Sequence, residues 1–337
     1  MQKKSNKLKN IIKITAILLV GVIIGAVGHY LYSTEKVLLA EHFPSKEDIA
    51  QQEFKNYLNF LESSLDSLHQ IKSNPVPGDW LYSHDEAGQT MQEYIDLKPI
   101  GKTPDRFKVY IQTLGEFNPT EKAILILTAD YLRNFYNIHV EILDPMAITV
   151  IPENQQRDHQ GYRQLNAKYI LNEVLKPTLP EDAAACMAFT NLDLYPSEDY
   201  NFVFGLGSLK NRVGVYSIAR FGDPNFSRKA YNQCLSRTLK VAAHELGHMF
   251  SIRHCVQYEC LMNGSNHLEE SDFKPQYLCP KDLFKVCWNL ETDELYRFNN
   301  LANFWEQLGF AENANFYKQS VLRIENEQNE KNAKFIK

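Results

Sequence analysis

The chain has no excess of positive charge. Its 36 Lys and Arg stand against 41 Asp and Glu, a formal net charge of -5. Nucleic-acid binders concentrate basic side chains to meet phosphates, so nucleic acid is excluded as a partner. The marks of disorder are absent too: 44% of the 337 residues are hydrophobic, with 19 Phe and 18 Tyr. Such a chain can bury a sizeable core, as one large domain or two unequal ones. There is no internal repeat.

Charge is missing altogether from Ile14 to Thr34, which contain no Asp, Glu, Lys or Arg. At 1.5 Å per helical residue, about 20 residues cross the hydrocarbon of a bilayer. Lys3, Lys4, Lys7, Lys9 and Lys13 precede the run, so the positive-inside rule holds the N-terminus in the cytoplasm and sends the rest out. A cleaved signal peptide is the rival reading, with Gly25, Ala26 and Gly28 as a cleavage region. The run is too long for an ordinary signal core and lacks a clear A-x-A site, which favours an uncleaved anchor. The expected order is a basic cytoplasmic segment (1–13), a transmembrane helix (14–34), a helical stalk and linker (35–76), a main domain (77–324) and a frayed tail (325–337).

In the stalk, Ser45 and Asp48 resemble a helix start, and Phe54, Tyr57, Leu58, Leu61, Leu65 and Leu68 recur at helical spacing. The stripe spans only two heptads and predicts a helix packed on the main domain rather than a coiled coil. Pro75, Pro77 and Gly78 read as a linker. From Val109 strands and helices alternate, which gives an α/β class. Strands are expected at 109–113, 140–143, 147–151, 183–189, 202–206 and 213–218. Helices are expected at 120–136 and around 165–175, with a last long one at roughly 235–250.

That last helix carries the chemistry. His244-Glu245-Leu246-Gly247-His248 puts two imidazoles on one helical face, adjacent turns apart, with Glu245 to the side. His254 follows six residues later and reaches the same ion only if the helix stops near Phe250. Three neutral nitrogens and a water form a catalytic zinc site with one open position, where zinc acidifies the water and polarises a carbonyl. Glu245 is placed to act as the general base. At these His and Glu frequencies an H-E-x-x-H arises by chance in about 2% of such chains, and the third His lowers that to on the order of one in a thousand. Cys255, Cys260 and Cys279 follow at a spacing suited to a structural metal, or to a disulfide in an oxidising compartment.

The compound motif His244-Glu-x-x-His248-x5-His254-Cys255-x4-Cys260-x-Met262, with Cys279 beyond it, resembles the archaemetzincin family of zinc metallopeptidases. Asn263 to Glu270, Tyr110-Ile111-Gln112 with Gly115, Asp193-Leu194-Tyr195-Pro196 and Asn201 to Gly205 are similar to family landmarks as well. The resemblance covers roughly Pro77 to Val286. It implies a metzincin-like α/β (α+β) zincin domain with a mixed sheet and an active-site helix, Met262 in a Met-turn beneath the histidines, and a cleft between the sheet and a smaller C-terminal part. It also implies a peptide or protein substrate, an aminopeptidase-like activity, and a second, structural zinc held by four cysteines.

Two positions depart from the family pattern. The fourth cysteine falls on Asp282, which leaves Asp282 or Cys287 to complete the second site. Ser251 stands where metzincins have Gly, at a cost of about 1 kcal/mol if the turn requires positive φ. A peptidase is the leading reading. The alternatives are a non-catalytic zinc-binding envelope protein that holds a peptide or partner in the same cleft, and a zinc hydrolase acting on another amide or ester.

Overall fold

In the computed structural model the described residues are 51–208 and 210–335, with side chains described for 55–208 and 210–330. The basic segment, the membrane run and the Ser45–Asp48 helix start lie outside them. Among the described residues no helix is long and apolar enough to cross a membrane. Lys55–Lys337 form one compact unit.

The first described helix, α1 (Gln51–Leu65), buries Phe60, Leu61 and Leu65. The Tyr57 hydroxyl donates to Glu294 at 2.6 Å, so from residue 55 the expected stalk packs on the main body. Two short helices, α2 (Trp80–Ser83) and α3 (Met91–Asp96), lie in the stretch before the sheet.

Strands β1 (Lys108–Leu114), β2 (His139–Ile142), β3 (Gln156–His159), β4 (Tyr162–Asn166), β5 (Ala183–Thr190), β6 (Asp193–Tyr195), β7 (Gly205–Gly207) and β8 (Val213–Ser217) build two sheets. The larger has the order β2-β1-β5-β8-β7, with the first four strands parallel and β7 antiparallel at the edge. The smaller is β3-β4-β6. All eight residues of β5 are buried, as a parallel strand covered on both faces requires. On one face Tyr110, Leu114, Cys186, Ala188, Val213 and Val215 pack with Ile170, Leu171 and Leu175. Strand alternation turns Met187, Phe189 and Tyr216 the other way, where the Tyr216 hydroxyl reaches Met249 Sδ at 3.5 Å.

Met249 ends the long helix that covers this second face. Helix α4 (Pro119–Tyr136) packs beside it, and opens with Asn118 and Glu121 in a reciprocal cap before Pro119. A short helix, α5 (Ala167–Tyr169), continues as a π-helical turn over Ile170–Leu175. The long helix is α6 (Arg228–Met249); it starts earlier than periodicity suggested, at a Ser227 cap that accepts from Ala230 N–H.

Four expectations are corrected here. The strand expected at 147–151 is a single 3-10 turn, Ile148–Val150, between Pro145 and Pro152. The run expected at 202–206 is a strand only over Gly205–Gly207, preceded by an isolated bridge from Val203 to Leu194. Helix α6 is not the last, because α7 (Leu268–Phe273), α8 (Pro280–Leu290), α9 (Glu294–Leu308) and α10 (Ala311–Phe335) follow it. The tail expected to fray from 325 is helical through Phe335. The observed architecture is a mixed α/β fold, in agreement with the class read from the sequence.

Candidate metal centres and cleft

Helix α6 carries His244, Glu245 and His248, and its exit decides whether His254 can join them. After Met249 the chain closes with two overlapping bonds, Ile252 N–H to Gly247 carbonyl at 3.0 Å and Ser251 N–H to His248 carbonyl at 2.8 Å. This is a Schellman closure, and its left-handed residue is Ser251 at φ 69°. The serine therefore sits where glycine is favoured, as the sequence suggested. Its side chain offsets part of the strain, since Ser251 Oγ accepts the Ile100 N–H at 3.1 Å.

The chain reverses and brings the three rings together. Their centroids are 4.5 Å (His244 to His248), 4.9 Å (His248 to His254) and 5.5 Å (His244 to His254) apart. One nitrogen from each lies within 4.8 Å of the others. A tetrahedral zinc with bonds of about 2.0–2.1 Å needs nitrogens about 3.4 Å apart, a small side-chain adjustment. Every Nδ1 is already committed. That of His244 lies 2.8 Å from the Leu261 carbonyl, that of His248 2.7 Å from the Ile252 carbonyl, and that of His254 3.0 Å from both Glu86 oxygens. Acceptors there assign the proton to Nδ1 and leave each Nε2 lone pair free for a metal.

Burial lowers the affinity of these rings for protons, to about 3 at His248 and well below the ordinary value at His244. At His254 burial prevails over the opposite pull of Glu86. Neutral imidazole is the metal-binding form. Burial also raises the Glu245 carboxyl to about 7, against the attraction of the Lys274 ammonium. Lys274 is itself buried and driven down to about 8; its Nζ donates to the Asn263 carbonyl at 2.9 Å, beneath the turn that carries Met262.

The packing under the motif leaves no slack. A Cβ on Gly247 would stand 2.6 Å from Met262 Sδ and 3.1 Å from the Tyr136 hydroxyl, so glycine is required where the helix meets the Met262 turn. On the open side, Glu245, His248 and His254 share a cleft of about 480 Å³ with Gly207 of edge strand β7 and with Glu86, Ala87 and Gly88. The wall facing the sheet edge thus includes residues 86–88. Glu86 was not foreseen: it lies in a polar loop, where neither periodicity nor spacing marks it.

A second cluster begins one residue past His254. Ligand atoms of Cys255, Cys260, Cys279 and Asp282 lie within 4.8 Å of one another. The Cys255 and Cys279 sulfurs are 3.7 Å apart, far beyond the roughly 2.05 Å of a disulfide, and all six cysteines are free. The same separation matches that of two thiolates on one zinc with bonds of about 2.3 Å. Cys260 Sγ accepts from the Cys279 and Met262 N–H groups at 3.2 and 3.4 Å. Hydrogen bonds from Cys260 and Cys279 lower Cys255, while burial raises both neighbours. Asp282, at the start of α8, donates no sulfur but places Oδ2 3.4 Å from Cys260 Sγ, and its Oδ1 accepts from Lys285 at 2.8 Å. Cys287, the other candidate, is outside this group. Five residues along a helix turn a side chain about 140° away.

The profile of Peptidase family M54 matches residues 172–286. Archaemetzincin-2 of Macaca fascicularis is 34% identical over 294 residues, 76% of this chain and 78% of that protein. Archaemetzincin-2 of Homo sapiens is 35% identical over 243 residues, 62% and 67% of the two chains. The crystal structure of archaemetzincin from Methanopyrus kandleri is similar at 26% identity, covering 56% of this chain and 97% of that one with a TM-score of 0.46. With a third of its residues shared across most of such a relative, the chain belongs to the archaemetzincin family of zinc metallopeptidases.

Proposed function

We propose that the protein hydrolyses peptide bonds in the cleft beside β7, with His244, His248 and His254 holding a zinc and Glu245 as general base. Zinc, when bound, supplies a Lewis acid that makes water a nucleophile near neutral pH and polarises the scissile carbonyl. The histidines hold their nitrogens in one place because each Nδ1 is tied to an oxygen. Glu245 takes a proton from the attacking water and returns it to the leaving amine nitrogen. Its carboxyl, raised by burial toward neutrality, suits both halves of that task. Among the described residues strand β7 has a strand partner on one side only, β8, so its other edge can pair with an extended peptide laid across the cleft. Gly207 keeps that approach free of a side chain 3.6 Å from Glu245 Oε2.

The observation that carries this reading is the convergence of three neutral imidazoles beside a half-buried carboxylate in an open cleft. A pure binding protein has no use for that carboxylate. The aminopeptidase-like preference implied by the family resemblance belongs to the same proposal. Turnover of peptides with free and acetylated N-termini tests it. Cys255, Cys260, Cys279 and Asp282 we assign to a second, structural zinc, a closed set of four ligands. The uncharged run of 14–34 we take as a membrane tether with the peptidase domain extracytoplasmic, to be checked by fractionation and protease accessibility of the full chain. The central experiment is Glu245→Gln: hydrolysis of a peptide library should fall about 10²- to 10⁴-fold with zinc content unchanged. Unaltered turnover in the variant would defeat this mechanism, whereas no turnover by the zinc-loaded parent would leave the binding-protein reading standing.

A further inference from the structure

His244 and His248 are positioned by the helix that bears them, whereas His254 lies on the reversed chain beyond it. Its acceptor is not a backbone carbonyl but a carboxylate, and that carboxylate comes from 168 residues upstream. The stretch that carries it is bolted down on both sides. Before it, the Trp80 N–H donates to Glu270 at 2.8 Å, and the Trp80 ring meets the His254 ring edge-on at 5.2 Å. That ring lies so close to Gly264 that a Cβ there would be 2.3 Å from it. After it, Gln89 accepts from Arg253 N–H and donates to the Ser251 carbonyl, both at 3.1 Å, and so grips the residues on either side of Ile252. The Gln89 carbonyl in turn accepts from Lys285 at 2.9 Å.

We propose that residues 80–90 form a strap whose purpose is to deliver Glu86 as the positioning residue for the third zinc ligand. The inference rests on the assignment of His254 as a ligand. A surface His–Glu pair would ordinarily contribute little. Here the side chains are 17% and 29% exposed, and the strap is fixed to the chain segment that presents His254. Both carboxylate oxygens reach Nδ1, so Glu86 orients the ring, keeps the proton on Nδ1 and makes Nε2 a stronger donor to the metal.

The test is zinc affinity of the full-length protein, measured by competition with a chelator, for Glu86→Ala, Glu86→Gln and His254→Ala. Glu86→Ala should weaken the more labile zinc about 10- to 100-fold. Glu86→Gln, which keeps the size and one acceptor oxygen but no charge, should fall between it and the parent, and His254→Ala should lose most. If Glu86→Ala and Glu86→Gln stay within about twofold of the parent while His254→Ala releases its metal, the strap has no role in positioning. If His254→Ala also keeps its zinc, the three-histidine assignment itself fails. Should Glu86→Ala not fold, the Gln variant decides.

Discussion

Two ligand clusters share one peptide bond, between His254 and Cys255, yet their surroundings differ. The histidine cluster opens on a cleft, and its spare nitrogens are tied back by carbonyls and Glu86. The cysteine cluster is more deeply set: Cys260, Cys279 and Asp282 are buried, Cys255 is half-buried, and the sulfur of Cys260 is held by backbone N–H groups. An open position is what a catalytic metal needs, and a sealed set of four is what a structural one needs. On the proposed assignment, adjacent residues serve opposite ends because the chain between them passes from the cleft wall toward the interior.

The comparison is broken most sharply at the closed site. Cys279→Ser should release one metal per chain and unfold the region around α8, since structural zinc contributes directly to folding free energy. Melting temperature and metal content together check it, and a variant that melts like the parent would remove the structural role. Next in size is Gly247→Ala, which pushes a methyl into Met262 Sδ. Overpacking of this kind costs about 1–3 kcal/mol, and urea denaturation should show it together with weaker zinc binding.

Acid should act on the open site before the closed one. In chelated protein His248 has its proton affinity lowered from 6.5 to about 3, so the unfolded chain takes up protons first. Its contribution is complete above about pH 6.5 and is lost as pH falls toward 3. Glu245, raised to about 7, works the opposite way: its contribution is present below 4.5 and lost as pH rises through 7. Three further histidines, His69, His244 and His254, shift in the sense of His248, so melting temperature should drop between pH 7 and 5. A rise on acidification would contradict this balance. The smallest effect is expected at Ser251→Gly. It relieves a left-handed serine worth about 1 kcal/mol but deletes the bond to Ile100 N–H, worth about 1 kcal/mol, and chemical denaturation should find a net change below about 1 kcal/mol.

Much of this was legible in the residues. Strands β1, β5 and β8 stand out as short apolar runs, and the H-E-x-x-H spacing names two ligands and a base without a structure. The family resemblance marked Ser251 as the position where a positive φ would strain the turn, and its φ is 69°. Helix α9 could have been found, since Asp293 caps it, Gly309 ends it in the left-handed region, and Phe298, Leu301, Ala302 and Trp305 repeat at helical spacing. The short pairings of β3, β4 and β6 carry no such signal. They are held by partners distant in sequence, such as Gln164 to Asp193 at 2.7 Å and Arg220 to the same carboxylate.

By itself, then, the sequence determined the chemistry on offer: which side chains can bind a metal, which can move a proton, and that the helix bearing them must end by Phe250. Tertiary structure alone decided that Asp282 rather than Cys287 joins the cysteines, and that a carboxylate from residue 86 meets His254. The physical reason is range. Periodicity and capping act over a few residues along the chain, whereas these choices depend on which distant segments pack against the same few ångströms of space.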